Sequence, residues 1–284
     1  MRFVSFYDDA ADVRPGFIEN GALHPIACTS LIEYIAAAPS ERQTYHVDKT
    51  LDAAKVRLAA PVRPRKNVFC VGRNYMEHAK EGARALGREL KLPEVPTFFT
   101  KAPTAIADPD ATLTFSAKLS EEYDWEAELA VVIGQRTRDC PEERALDAVF
   151  GYTALNDLTA RNLQRAHGQW FKGKSLDESC PLGPWIVPIS ELGDGAGLGL
   201  SLCVNGIEKQ HARTDGMIFP VRRLIAELSA GLTLEPGDVI ATGTPEGVGF
   251  ARTPPEFLHD GDVVEVSIDR IGTLRNTIRI ERVP

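Results

Sequence analysis

The sequence predicts an α+β fold, mainly β, in which a small N-terminal α+β domain precedes a larger strand-rich one. Three observations point there. Short alternating or wholly apolar runs recur beyond residue 66, Gly- and Pro-rich stretches separate them, and helical periodicity surfaces in only a few places. Strands do not alternate regularly with helices of crossover length, which disfavours a doubly wound parallel sheet. With 284 residues, 43% hydrophobic and 25% charged, the chain is an ordinary globular one that should bury roughly 70–75% of its unfolded surface.

The elements follow in order. Residues 2–6 read as a strand, with a turn near Arg14-Pro15-Gly16. A short helix starts at Thr29 or Ser30, whose hydroxyl can cap it, runs through residues 31–35 and stops before Pro39. The basic, proline-punctuated stretch 61–66 reads as a linker, which divides the chain into domains of residues 1–65 and 66–284. In the second, strands are predicted at 67–71, 126–133, 200–204, 238–242, 263–268 and 277–280, and helices at 158–166 and 219–228. Breakers at 181–184, 193–199, 235–237 and 244–249 punctuate them.

Composition excludes several function classes. With 32 basic and 40 acidic residues the net charge is −8, a poor match to a phosphate backbone, so no nucleic-acid partner is expected. No apolar run approaches the roughly 18 residues that span a bilayer, and Asp8 and Asp9 interrupt the place of a secretion signal; a cytoplasmic protein without a membrane partner is expected. Cys28, Cys70, Cys140, Cys180 and Cys203 form no CxxC pair and read as reduced, mostly buried thiols. The glycine-rich run 193–199 contains no GxGxxG and reads as a loop, and no GxxxxGK[ST], HExxH or GxSxG occurs. Any chemistry must rest on carboxylates and histidines.

Glu126 and Glu128 open the most strand-like segment, where residues i and i+2 share a face about 6.5–7 Å apart. Such a pair is either a hard-cation site for Mg²⁺ or Mn²⁺, which prefer oxygen ligands in an octahedron at about 2.1 Å, or two solvated glutamates on an edge strand. Asp157 stands between a strand-like and a helix-like segment, where it serves equally as a third ligand or as a helix N-cap. His78 and Glu81, at i and i+3, share a helical face if the segment after Asn74-Tyr75 is helical; the carboxylate would then orient an imidazole base, the alternative being an exposed surface pair. Lys174 could neutralise a substrate carboxylate or simply be solvated.

Together and in order, these segments resemble the fumarylacetoacetate hydrolase family, specifically its C-terminal catalytic domain. The resemblance rests on Val71-Gly72-Arg73-Asn74-Tyr75 with His78 and Glu81, Phe99-Thr100-Lys101-Ala102-Pro103, Asp124-Trp125-Glu126-Ala127-Glu128-Leu129 and Asn156-Asp157-Leu158-Thr159-Ala160-Arg161. It continues through Lys172-Gly173-Lys174-Ser175, Val204-Asn205-Gly206, Thr242-Gly243-Thr244-Pro245-Glu246-Gly247-Val248-Gly249 and Ile271-Gly272-Thr273-Leu274-Arg275-Asn276. It implies a layered, partly barrel-like β-sheet domain and a homodimer. It also implies Mg²⁺ or Mn²⁺ on Glu126, Glu128 and Asp157, a catalytic pair of His78 and Glu81, and substrate contacts from Lys174, Gln164, Thr244 and Arg73. Asn162 departs from the acid that many relatives carry there.

The chemistry implied is metal-chelated activation of a 2-oxo acid. The expected reaction is hydrolysis of a carbon–carbon bond in a 2,4-dioxo acid of the acylpyruvate or fumarylacetoacetate type, by water that His78 and Glu81 activate. The alternatives are 2-hydroxydienoate isomerisation, oxo-acid decarboxylation or lyase chemistry in aromatic-compound catabolism, and, from another class, a non-catalytic binding module. Three carboxylates against one divalent cation leave about one excess negative charge, so a substrate carboxylate would need both direct metal ligation and a nearby cation, which Lys174 could supply. The segment 81–96, which carries Gly82 and Gly87, is expected to close over substrate as a lid.

Overall fold

The apolar runs become strands of three sheets in the computed structural model, which describes residues 1–282 except 48, 86, 88 and 91. Three of the four excepted positions fall within the expected lid, so that expectation lies partly outside the described residues. The largest sheet has 12 strands and the second 5, with a two-stranded pair beside them. The strand order of each runs from one edge to another without closing, so the layers are open sheets. Pairing is mostly antiparallel; the parallel exceptions among the described residues pair Ile240 with Phe69, Cys180 with Ile106, and Thr277 with Thr112.

The strand Ala127–Ile133 is buried at all seven positions because it is central, between Val149–Asn156 and Val239–Ala241. One of its faces meets the five-stranded sheet: Leu129 and Val131 share a core cluster with Leu200, Leu202, Val264, Val266 and Leu274. The other face, with Ala130 and Val132, packs in a second cluster with Phe3, Leu31, Ile35 and Val68. Apolar side chains on both faces explain why this run reads as continuous rather than alternating.

The N-terminal strands join the same sheet. Arg2–Tyr7 pairs with Val13–Glu19 and, at Phe3↔Ile186, with Cys180–Pro188, so the sheet continues across residue 65. The segment 61–66 is tied down as well: Ser5 donates to the Pro61 carbonyl at 2.8 Å and Arg63 pairs with Asp108 at 2.7 Å.

Several local expectations need correction. Arg14-Pro15-Gly16 is strand, not turn; the chain reverses earlier, where the Asp8 carboxylate accepts from Ala10 N–H and Asp12 N–H. The helix Leu31–Ala36 does form, and Ser30 caps it by accepting from Glu33 N–H. The helix expected at 158–166 is shortened to Arg161–Ala166 because Thr159 and Ala160 pair with Asp124 and Tyr123. All five cysteines are free, but only Cys70 and Cys180 are buried.

Candidate active site

Register alone brings the acids together. Ala127 pairs with Asn156, and Asp157 N–H donates to the Glu126 carbonyl at 2.8 Å, so the start of one central strand meets the end of its neighbour. The carboxylates of Glu126, Glu128 and Asp157 each place an oxygen within 4.8 Å of the others, and all three side chains are buried. Solvated edge glutamates are thereby excluded. Asp157 is not an N-cap either: Ala160 precedes the helix without a side-chain cap, while the Asp157 oxygens accept from Lys101 at 2.7 Å and Lys174 at 2.8 Å.

Three cations are packed into this space. Lys174 Nζ bridges Asp157 and Glu126, the latter at 2.7 Å. Lys101, wholly buried, also donates to the Leu158 carbonyl at 3.0 Å. Arg161 pairs with Asp124 and with Glu126, each at 2.8 Å. Among the described residues eight Asp, Glu, Lys and Arg side chains are buried, and all but Asp238 belong to this cluster. When ionised, the seven comprise three positive and four negative charges, a net −1 before any cation binds. The sequence reading, which set three acids against one lysine, missed Lys101, Arg161 and Asp124, although all three lie inside the stretches that carry the resemblance.

The two glutamates are shifted in opposite directions. Burial would raise Glu126, but Lys174 and Arg161 override it and bring it down to about 2. Burial, then Asp157 and Glu126, push Glu128 well above the usual carboxylate range, against a 2.7 Å hydrogen bond from Gly243 N–H. Burial would lower Lys174, but Asp157 and Glu126 raise it, which keeps the ammonium charged. Three converging carboxylates, one of them poorly compensated, are the donor set of a hard divalent cation, and the residues present fit one.

The expected helix is present as Met76–Ala85 and carries His78 and Glu81. His78 Nδ1 lies 3.5 Å from Glu81 Oε2, too far for a good hydrogen bond, and has no hydrogen-bond partner although buried. Gly247 N–H donates to both Glu81 oxygens, at 3.0 and 3.1 Å, and so ties the helix to the 242–249 loop. Arg73 leaves the strand Val68–Gly72 in the left-handed region, at φ 58°. Its guanidinium lies 5.7 Å over the Trp170 ring and has no carboxylate partner among the described residues. Trp170 can lie there because residue 72 is glycine: a Cβ would sit 2.3 Å from the indole.

A cavity of about 560 Å³ opens above the cluster, lined by Arg73, His78, Glu126, Gln164, Lys174 and Thr244 among others. Glu81, Glu128 and Asp157 do not line it. Gln164 accepts from Arg161 at 3.1 Å, and Asn162 donates to the Leu119 carbonyl at 2.8 Å, so its departure from the acid of many relatives touches no predicted ligand. Sequence reasoning also missed Gln210, the one buried residue of the strand Ile207–Arg213. The only signal for it is an inward strand position filled by an amide.

Residues 67–279 match the family described as fumarylacetoacetate (FAA) hydrolase C-terminal. The chain is 46% identical over 226 residues to the oxaloacetate tautomerase YisK of Bacillus subtilis (strain 168), covering 79% of this chain and 74% of that one. A fumarylacetoacetate hydrolase structure from psychrophilic Exiguobacterium antarcticum aligns with a TM-score of 0.85 at 40% identity, over 99% of this chain and 100% of that one. A 5-carboxymethyl-2-hydroxymuconate delta-isomerase structure from Mycobacterium smegmatis aligns at 0.83 and 34% identity, again over 99% and 100%. No described helix is long and apolar enough to cross a membrane.

Proposed function

The chain belongs to the fumarylacetoacetate hydrolase family, and on that premise we propose that it is a divalent-metal-dependent tautomerase that interconverts the enol and keto forms of a 2-oxo dicarboxylic acid, oxaloacetate being the simplest. The observation that carries the choice of reaction is the 46% identity to an oxaloacetate tautomerase. The similarity to a muconate isomerase supports the same kind of proton shift. Both favour the isomerase alternative over the carbon–carbon hydrolysis that the motifs first suggested.

Tautomerisation moves a proton between a carbon and an oxygen through an enolate-like charge, so the site must stabilise negative charge and supply a base. Glu126, Glu128 and Asp157 would hold Mg²⁺ or Mn²⁺, which supplies Lewis-acid stabilisation of the carboxylate and oxo oxygens. Lys174, charged and lining the same cavity, adds a positive partner for oxygen. His78 lines the cavity with Nδ1 toward Glu81, which leaves its other ring nitrogen to take and return the carbon-bound proton.

Charge selects the substrate class. Among the described residues four cations line the cavity, and three already have carboxylates: Arg161 has Asp124 and Glu126, Arg165 has Glu122, and Lys174 has Glu126 and Asp157. Arg73 has only an aromatic face among the described residues, which leaves it to meet a second substrate carboxylate. A divalent cation would turn the buried net −1 into +1, and Arg73 adds another positive charge, which balances a dianion.

The test is a panel assay of the Mg²⁺-loaded protein. Enol-oxaloacetate absorbance should decay faster than in buffer, without release of pyruvate, and a chelator should abolish the effect. Cleavage of a 2,4-dioxo acid without any effect on enol-oxaloacetate would return the reading to hydrolysis.

A further inference from the structure

Gln210 lies outside the cavity, 1% exposed, and its amide connects two of the segments that build the site. The orientation of that amide follows from its neighbours. On one side stands Ala127 N–H, which can only donate, so Oε1 accepts from it at 2.9 Å. On the other stands the Pro245 carbonyl, which can only accept, so Nε2 donates to it at 2.9 Å. The second Nε2 proton goes to Thr244 Oγ1 at 2.8 Å, and the Glu246 carbonyl at 3.5 Å is too distant to compete. Both ends of the amide are therefore assigned, and Thr244 must accept from Gln210. A hydroxyl has one proton. That of Thr244 has no acceptor among the described residues, and Thr244, 3% exposed, lines the cavity.

We propose that Gln210 is a positioning residue that fixes Thr244 as a hydrogen-bond donor into the cavity, so that the ligand atom at that point is an acceptor, a carboxylate or oxo oxygen. Ala127 sits between Glu126 and Glu128, so the same amide also sets the spacing between the strand that carries the acids and the loop that carries Thr244. For the ligand's class this rests on the oxo-acid reading. Oxalate, an acceptor-only 2-oxo-acid mimic, serves as probe, and its binding needs no turnover; absent tautomerase activity would leave this inference standing.

The experiment is calorimetric titration of oxalate into the Mg²⁺-loaded protein and its variants. Gln210→Glu keeps the acceptor for Ala127 but turns its second oxygen on Thr244 and claims the hydroxyl proton. Oxalate affinity should fall about tenfold or more, as it should for Thr244→Val, since one hydrogen bond to an anion is lost. In the Thr244→Val background Gln210→Glu should cost nothing further. Gln210→Met removes the donor, and with it the acceptor for Ala127 N–H, without claiming the hydroxyl proton, so its loss should be smaller than that of Gln210→Glu. A Gln210→Glu loss that persists in the Thr244→Val background reveals simple packing or charge repulsion and overturns the inference. So does a Gln210→Met variant weaker than Gln210→Glu, or a Gln210→Glu variant that binds oxalate like the wild type.

Discussion

Replacing Glu128 by glutamine should make the metal-free protein more stable while removing its metal. The amide keeps the shape and the acceptor for Gly243 N–H but deletes a charge that sits within 4.8 Å of two other carboxylates. Two unit charges at that distance repel by about 3.5 kcal/mol at an effective dielectric of 20. Glu128 faces two such repulsions, and the nearby Lys174 offsets about one of them, so the variant should gain about 3.5 kcal/mol, or roughly 7 °C in Tm for a chain of this size. The pH dependence has a definite sign. Because burial and its acidic neighbours raise Glu128 in the folded state, its contribution favours folding below the normal carboxylate pKa and is lost as pH rises toward the raised value. The gap between variant and wild type should therefore widen upward from about pH 4.5, by at most about 1.4 kcal/mol per pH unit. Urea unfolding in chelator at pH 5 and pH 8 measures both quantities, and Mg²⁺ should stabilise the wild type but not the variant. A Glu128→Gln variant less stable than wild type in chelator, or a gap that does not grow with pH, would refute this account.

The other site residues answer differently. Asp157→Asn removes the partner of two buried ammonium groups, so it should destabilise the metal-free protein by about 3–5 kcal/mol, the opposite sign to Glu128→Gln, read in the same urea titration. His78→Gln should leave Mg²⁺ affinity intact yet slow enol-oxaloacetate decay by about 10²–10⁴-fold; an unchanged rate would place the base elsewhere. Arg73→Ala should lower kcat/KM for oxaloacetate about tenfold or more while sparing a monocarboxylic 2-oxo acid, and equal losses on both substrates would mean that Arg73 does not meet the second carboxylate.

What was legible in the sequence was local. The Glu126–Glu128 spacing, the His78–Glu81 spacing and the Ser30 cap each depend on a few consecutive residues whose geometry the backbone repeats dictate. Asp157 was ambiguous because an acid between strand and helix suits a cap and a ligand alike, and only the two lysines that reach it decide between them. Those lysines were not legible as partners. Lys101 lies 56 residues before Asp157, and Lys174 lies 48 residues after Glu126, so each contact is a product of the tertiary fold rather than of spacing. The misplaced turn at Arg14-Pro15-Gly16 has the same origin: proline and glycine suggested a break, but the strand there pairs with Arg2–Tyr7 and the real reversal is set by the Asp8 side chain.

The same distinction explains the site's electrostatics. Residue types alone imply a surplus of negative charge, yet long-range pairing with Lys101, Lys174 and Arg161 neutralises all but one unit of it. What remains is not spread evenly. Glu126 and Asp157 each engage two cations, whereas Glu128 receives one backbone N–H and faces both of the other acids. The unfavourable charge is thus concentrated on the one carboxylate of the three that no described lysine or arginine contacts, beside two that are already fixed in place by their partners. A divalent cation would relieve that strain most effectively where these three oxygens converge, so the arrangement that weakens the metal-free fold at Glu128 is the one that suits the proposed metal.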